Sequence, residues 1–251
     1  MQDKEYWELR SQSFPTFLDG ESYQKKMLKI MEENGIDFNG ADVLDVGAGT
    51  GAYTINIAKS AKSVTALDIS RGMLDALKQS ADRFGLTNIE YVESDWGDYT
   101  PEKKFDIILC SLTPALKGAA AAEKVYDYVK KWGIQIGSAA PMKAYMLDGL
   151  FELHNIEGRY KKILHTEMKD TLKRRNTPFI SIPVQGEWER TYSRDALIDN
   201  LKGVVLSHGR QPDIKAIEGY IERFKDEKSN LYISKTFYDV ELMIWKGQEK
   251  S

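Results

Sequence analysis

Residues 43–51 read VLDVGAGTG, and AYTINIA follows through Ala58. An apolar run carrying one acid, Asp45, ends in Gly47, Gly49 and Gly51 at alternate positions. A short apolar run bounded by glycine reads as a buried strand, and the stretch after it reads as the start of a helix. Glycines let the main chain turn tightly and let a ligand approach it closely. The helix N-terminus beside them presents unpaired N–H groups. This strand, turn and helix predict a site for a nucleotide-like cofactor. Read as Gly47-Ala48-Gly49-Thr-Gly51-Ala52, the loop also satisfies the dinucleotide pattern G-x-G-x-x-G/A, so it does not choose the cofactor by itself.

Three more strands lead to the same edge. Val64–Asp68 (VTALD) ends in an acid 17 residues after Gly51, near the ~20-residue spacing at which a carboxylate meets ribose hydroxyls. Its two acceptor oxygens suit a pair of cis hydroxyls. Asp68 or Ser70 can also cap the helix that starts near Arg71, and Ser70 is the better cap. Ile89–Val92 precedes Glu93-Ser94-Asp95-Trp96. Asp95 can accept from an adenine amine, or serve as a turn residue. Trp96 can cover the ring face, or be core. Phe105–Cys110 (FDIILC) runs into Ser111-Leu112-Thr113-Pro114. In open parallel sheets ligands sit outside the carboxyl ends of the strands, so all four loops converge on one crevice.

These four stretches, VLDVGAGTG, VTALDIS, ESDW and FDIILCSLTPAL, resemble a class I S-adenosylmethionine-dependent methyltransferase of the small, soluble kind, strongly from Ala41 to Leu116 and diffusely beyond. The resemblance implies that the loop of Asp45, Gly47, Ala48, Gly49 and Gly51 surrounds the methionine moiety. It implies that Asp68 holds the ribose and Asp95 the adenine, with Ile69, Met73 and Trp96 as adenine neighbours. Ser111 and Leu112 fall where the family contacts the methionine backbone and the methyl path. An acid at Asp45 suits a cofactor with cationic ammonium and sulfonium groups and repels a pyrophosphate, which favours adenosylmethionine over NAD. The implied fold is an α/β, Rossmann-like, doubly wound, mostly parallel seven-stranded sheet with helices on both faces and the last strand antiparallel.

The rest of the chain fits one methyltransferase domain over residues 1–251: an N-terminal helical lid (1–36), a cofactor half (37–140), and a substrate-side insertion with the terminal strands (141–251). Helices are expected at Tyr6–Phe17, Tyr23–Glu33, 52–60, 71–84, Ala119–Trp132, Met142–His154, Ile163–Arg175, Ser193–Leu201 (Ser193 as N-cap) and Ile214–Lys228. Val125, Val129 and Trp132 form one stripe of the fifth of these. Ile134–Ile136, Phe179–Glu187 and Leu231–Trp245 read as later strands.

The chain has 251 residues with 42% hydrophobic and 29% charged, ordinary for a globular domain. No run reaches the ~20 apolar residues of a membrane span, and MQDKEYWELR has no apolar signal core. The lone Cys110 excludes an intrachain disulfide and reads as a small buried residue. The expected compartment is the cytoplasm. A net charge of −3 speaks against nucleic acid, which wants a basic face. The basic clusters, Lys161-Lys162 with Lys169, Lys173, Arg174 and Arg175, and Lys130-Lys131 with Lys124, read as solvated helix faces. Tyr6, Trp7, Arg10, Phe14 and Phe17 are candidate lid residues, and Tyr160, His165 and Arg174–Arg175 candidate pocket residues. Each has a plainer reading as packing or surface.

No group of His, Cys and acids has zinc-ligand spacing, and no G-x-S-x-G elbow or P-loop occurs. The expected reaction is in-line methyl transfer to a small-molecule acceptor, driven by alignment and desolvation, with no fixed base assigned among His154, His165 and His208. An RNA or protein methyltransferase is the alternative, though SLTP stands where amino-directed base enzymes commonly carry an Asn/Asp-Pro-Pro-aromatic tetrad. A further alternative is a nucleotide-binding protein or dinucleotide oxidoreductase of the same fold.

Overall fold

The computed structural model describes residues 3–14, 22–140, 142–157 and 166–247. Its central strand is β1 (Asp42–Val46). Val43 is buried on one face, and Leu44 and Val46 on the other. A strand covered on both sides calls for parallel neighbours with crossover helices. β1 pairs in parallel with β2 (Ser63–Asp68) and with β4 (Phe105–Ser111). β3 (Ile89–Glu93) and β5 (Val129–Ser138) extend the parallel sheet on either side. β7 (Tyr232–Lys246) is antiparallel to β5, and β6 (Phe179–Tyr192) is antiparallel to β7. The order is β3-β2-β1-β4-β5-β7-β6, so only the last strand of the chain runs against the others, as expected.

Helices α2 (Ser22–Glu33) and α3 (Thr54–Ala58) cover one face. Met27, Met31 and Ile57 bury against Val43, Ile107, Leu109 and Ile134. Helices α5 (Gly118–Tyr128) and α7 (Thr166–Arg174) cover the other, where Val125 and Leu172 meet Leu44 and Ile108. Each fully buried aliphatic side chain contributes roughly 1.5–3 kcal/mol relative to exposure. Two caps fall where the spacing predicts. Ser70 accepts from Met73 N at the start of α4 (Arg71–Arg83), and Ser193 from Ala196 N at the start of α8 (Arg194–Ser207).

Several expected boundaries are corrected. The helix over Ala119–Trp132 stops at Tyr128. Val129 and Trp132 instead open β5, opposite Phe105 and Ile107 of β4, with a bulge between them. The free edge of β4 offers ladder partners that outweigh helix propensity there. The helix from Ile214 ends at Ile221 (α9) and passes into a single 3-10 turn. β6 continues to Tyr192 and α8 to Ser207, because each finds a partner along its added length. The first helix is α1 (Asp3–Ser11); Phe17, Tyr160, Lys161, Lys162 and His165 lie outside the described residues.

The antiparallel β6–β7 pair outruns the sheet. The last β5 pairing is Ser138 with Val240, whereas β6 follows β7 out to Tyr192–Tyr232. This arm of about eight residues reaches roughly 25 Å past the carboxyl edge. The helices α6 (Tyr145–Leu153), α8 and α9 pack on it around Leu150, Leu201, Val205, Ile217 and Tyr232, making a separate small core. A cap thus stands over the edge where the four loops end. At the other end of the β5–β7 pairing, away from the arm, Gly133 lies opposite Trp245, and a methyl group there would overlap the indole.

Candidate active site

The glycine loop follows β1 directly. The amides of Gly47 and Ala48 donate to Leu67 O at 2.7 and 3.0 Å, and Gly51 N donates to Ala48 O at 3.0 Å. Gly47 has φ +73°, and a Cβ on it would collide with the Thr113 side chain in the loop after β4. That contact lets two loops of the crevice touch. Gly49, at φ +54°, faces open space, with nothing within 4 Å of a Cβ placed there. Its amide donates to Asp68 Oδ2 at 2.8 Å. Asp68 Oδ1 accepts from Ser70 N at 2.9 Å. Burial raises the Asp68 pKa, backbone donors including Gly49, Ser70 and Ile69 oppose the rise, and the charge of Glu8 adds to it.

Asp45 is buried beneath this loop, and its Oδ2 accepts from Thr54 Oγ1 at 2.6 Å. Burial pushes its carboxyl up to about 6, with the Asp68 charge adding and the Thr54 bond opposing. Ser111 ends β4. Leu112 follows with φ +46°, a strained value for a branched side chain, and is anchored by its N–H to Ile136 O at 2.8 Å. Strain of this kind concentrates where backbone shape serves a ligand. Asp45, Gly47, Ala48, Gly49, Gly51, Asp68, Ile69, Ser111 and Leu112 therefore lie at the carboxyl ends of the neighbouring strands β1, β2 and β4 and in the loops that follow them.

Two expected contacts sit differently. Trp96 is fully buried in the α5-side core, donating its indole N–H to Ala121 O at 3.0 Å with the Lys124 ammonium 4.7 Å from its ring centre. Its ring is core rather than a cover for a ligand. Asp95, two residues past the end of β3, uses Oδ1 in a turn, accepting from Gly97 N at 2.6 Å. Met73 is also buried, its N–H engaged by the Ser70 cap.

The two described histidines are occupied. His154 Nε2 accepts from Asp213 N at 3.1 Å, which makes Nδ1 the N–H that meets Leu150 O at 3.0 Å. His208 Nδ1 bonds Val204 O at 2.8 Å. Arg174 and Arg175 reach Glu123 of α5 at 2.9 and 2.7 Å instead of lining a pocket. Lys169 pairs with Glu241 and Lys131 with Asp106. A cleft of about 370 Å³ opens on the cap between Tyr145, Met146, Phe224 and Ile233, and none of the motif residues lines it.

Helix α1 crosses the crevice. Glu8 accepts from Ser70 Oγ at 2.7 Å and from Gly72 N at 3.2 Å, at the start of α4. Lys4 pairs with Glu93 at 2.6 Å, and Asp3 pairs with Lys117. On the cap side Tyr6 meets His208 edge-on at 5.5 Å, and Asn200 of α8 donates to Ser13 O at 2.6 Å. Tyr6, Trp7 and Phe14 pack serially, with Arg10 over Phe14. The sequence reading missed Glu8, Thr54 and Thr113. Thr54 was findable, lying inside the same strand–turn–helix unit as Asp45. Glu8 carries no local signal.

Residues 43–133 match the family model described as a methyltransferase domain. That stretch, about a third of the chain, is similar to the methyltransferase domain family, and it contains the glycine loop and strands β1 to β4. The chain's fold is similar to that of the N-methyltransferase NodS from Bradyrhizobium japonicum WM9, solved in complex with S-adenosyl-L-homocysteine. The TM-score is 0.57 over 98% of this chain and 100% of that one, at 14% identity. A demethylmenaquinone methyltransferase of Tropheryma whipplei is 43% identical over 70 residues, 28% of each chain. A probable ribosomal RNA small subunit methyltransferase A of Methanosphaera stadtmanae is 38% identical over 68 residues, 27% of this chain and 25% of that one. The chain spans about a quarter to a half of the length of the curated relatives it matches. Among the described residues, no helix is long and apolar enough to cross a membrane.

Proposed function

We propose that this protein transfers the methyl group of S-adenosylmethionine to a small-molecule acceptor. The observation that carries the reading is the Asp68–Gly49 bond beside the open face of Gly49, with the buried acid Asp45 behind it. The arrangement fits a donor that carries a ribose at one end and cationic groups at the other. In this reading Asp68 takes the ribose hydroxyls, Asp95 faces the adenine amine, and the glycine loop with Asp45 holds the methionine end. The donor supplies an electrophilic methyl. The chain supplies alignment: Ser111 and the strained Leu112 border the path, and α1 with the cap keeps water out.

An acid at Asp45 disfavours a pyrophosphate, which argues against NAD. A ribosomal RNA acceptor is the competing reading, and the Methanosphaera relative is what favours it. The ion pairing of Lys169, Arg174 and Arg175 weakens it, because paired cations release fewer counterions from a nucleic acid. A cytoplasmic setting belongs to the same proposal and agrees with the lone buried Cys110. Calorimetric titration with S-adenosylhomocysteine, S-adenosylmethionine and NAD tests the reading. Binding of the first two without the third is expected; binding of NAD alone overturns it.

A further inference from the structure

Aromatic residues from separate elements pack together just beyond the carboxyl end of β5. Tyr23 of α2 meets Tyr238 of β7 edge-on at 4.7 Å and Trp188 of β6 at 5.1 Å, while Trp188 and Tyr238 stack at 5.2 Å. Tyr53, two residues after Gly51, joins the same core. Its hydroxyl lies among Tyr23, Ser111 and Asp45 without a hydrogen bond of acceptable geometry to any of them. Tyr23 and Tyr53 are each 5% exposed; their hydroxyls face each other, and that of Tyr53 faces Ser111, but neither makes a hydrogen bond of acceptable geometry among the described residues. The side-chain oxygen of Gln24, 8% exposed, is also unpartnered. A buried polar atom left unpaired costs about 1–3 kcal/mol, and native structures hold few of them. Two such phenols beside Ser111 stand where an acceptor would arrive.

The charge around them narrows the acceptor. The ionisable groups nearest the Tyr53 hydroxyl include Asp45, with Asp68 beyond it. Among the described residues no Lys or Arg stacks on any of these four rings. Lys26 of α2 reaches outward to the Gln185 carbonyl at the surface. An anionic nucleophile would meet the buried acids there, and among the described residues no cation stacks on these rings to receive it. A neutral amine conserves the charge of the site. As the sulfur–carbon bond breaks and the nitrogen–carbon bond forms, one positive charge passes from sulfur to nitrogen. The nitrogen then gives a proton to water. Aromatic faces attract such a cation, and phenolic oxygens accept its N–H groups.

We infer that Tyr23 and Tyr53 bind the acceptor and that the acceptor is an amine. The inference rests on the methyltransferase reading above. The test uses the full chain saturated with S-adenosylhomocysteine and three probes of one shape: 2-phenylethylamine, 2-phenylethanol and 3-phenylpropanoate. By calorimetry the amine is expected to bind about tenfold more tightly than either of the others. Tyr23→Phe and Tyr53→Phe are each expected to weaken the amine about fivefold or more. Both variants should keep the affinity for S-adenosylhomocysteine and melt no lower than the parent, since each loses an unpaired hydroxyl. Equal or tighter binding of the alcohol or carboxylate overturns the inference, as does failure of the amine to bind. A lowered melting temperature with unchanged amine affinity also overturns it, because the hydroxyls would then hold structural water. Failure of the parent protein to bind S-adenosylhomocysteine is a separate result, which removes the methyltransferase reading itself.

Discussion

The amide of Gly49 and the carboxylate of Asp68, 19 residues apart in the chain, are joined by a 2.8 Å hydrogen bond that ties the glycine loop to the end of the second strand. Asp68 therefore acts twice, shaping the loop and offering acceptor oxygens to a ligand. Asp68→Ala is expected to weaken S-adenosylhomocysteine binding by roughly 1.5–3 kcal/mol, the range for a hydrogen bond to a charged group. Calorimetry measures it. A change of less than about twofold would show that Asp68 does not hold the ligand.

Asp45 makes binding and stability respond oppositely to pH. Its folded pKa, about 6, exceeds the ordinary 3.8. The folded state therefore takes up its proton more readily than the unfolded chain does. The burial penalty is absent below about pH 4, grows between pH 4 and 6, and is fully present above pH 6. The empty protein should lose stability as pH rises through that window, while affinity for a ligand bearing an ammonium should rise. Asp45→Asn should flatten both trends without abolishing them, because the Asp68 pKa is raised as well. Thermal melts and titrations at several pH values check this; an unchanged slope in the variant refutes it.

Gly133 has no room for a side chain. Trp245 crosses it directly, so Gly133→Ala forces the indole or the strand to move. Overpacking of this kind costs typically 1–3 kcal/mol. Urea denaturation should show a loss in that range, partly restored by Trp245→Phe. A neutral Gly133→Ala would mean that β5 and β7 are more loosely paired than their register implies.

Helix α1 buries none of its residues and is held largely by polar contacts. Such contacts weaken with salt. Hydrogen exchange of Asp3–Ser11 is expected to speed up several-fold in Glu8→Ala, and also in 0.5 M salt, relative to dilute buffer. Exchange that ignores both changes would mean that packing by Tyr6 and Trp7 dominates.

The cofactor half was legible because its signals are local. The VLDVGAGTG turn, the acid ending VTALD and the Ser70 cap each fall within a few residues of the structure they cause. Where the outcome depends on a distant partner, the reading failed. The start of β5 is set by its register with β4, which no helix-forming composition discloses. Trp96 was placed at the rim by its neighbour Asp95, yet the Ala121 carbonyl on α5 draws its indole inward. Glu8 became visible only once α1 was seen to reach residues 62 and 64 positions away.

A single fifteen-residue strand, β7, runs from its place between β5 and β6 in the sheet out to the tip of the cap. Sheet and cap consequently share a backbone girder and cannot swing apart as two lobes without breaking ladder bonds along its length. Of the described elements beside the carboxyl edge, α1 is fastened by charged contacts that can be undone one at a time while the girder stays rigid.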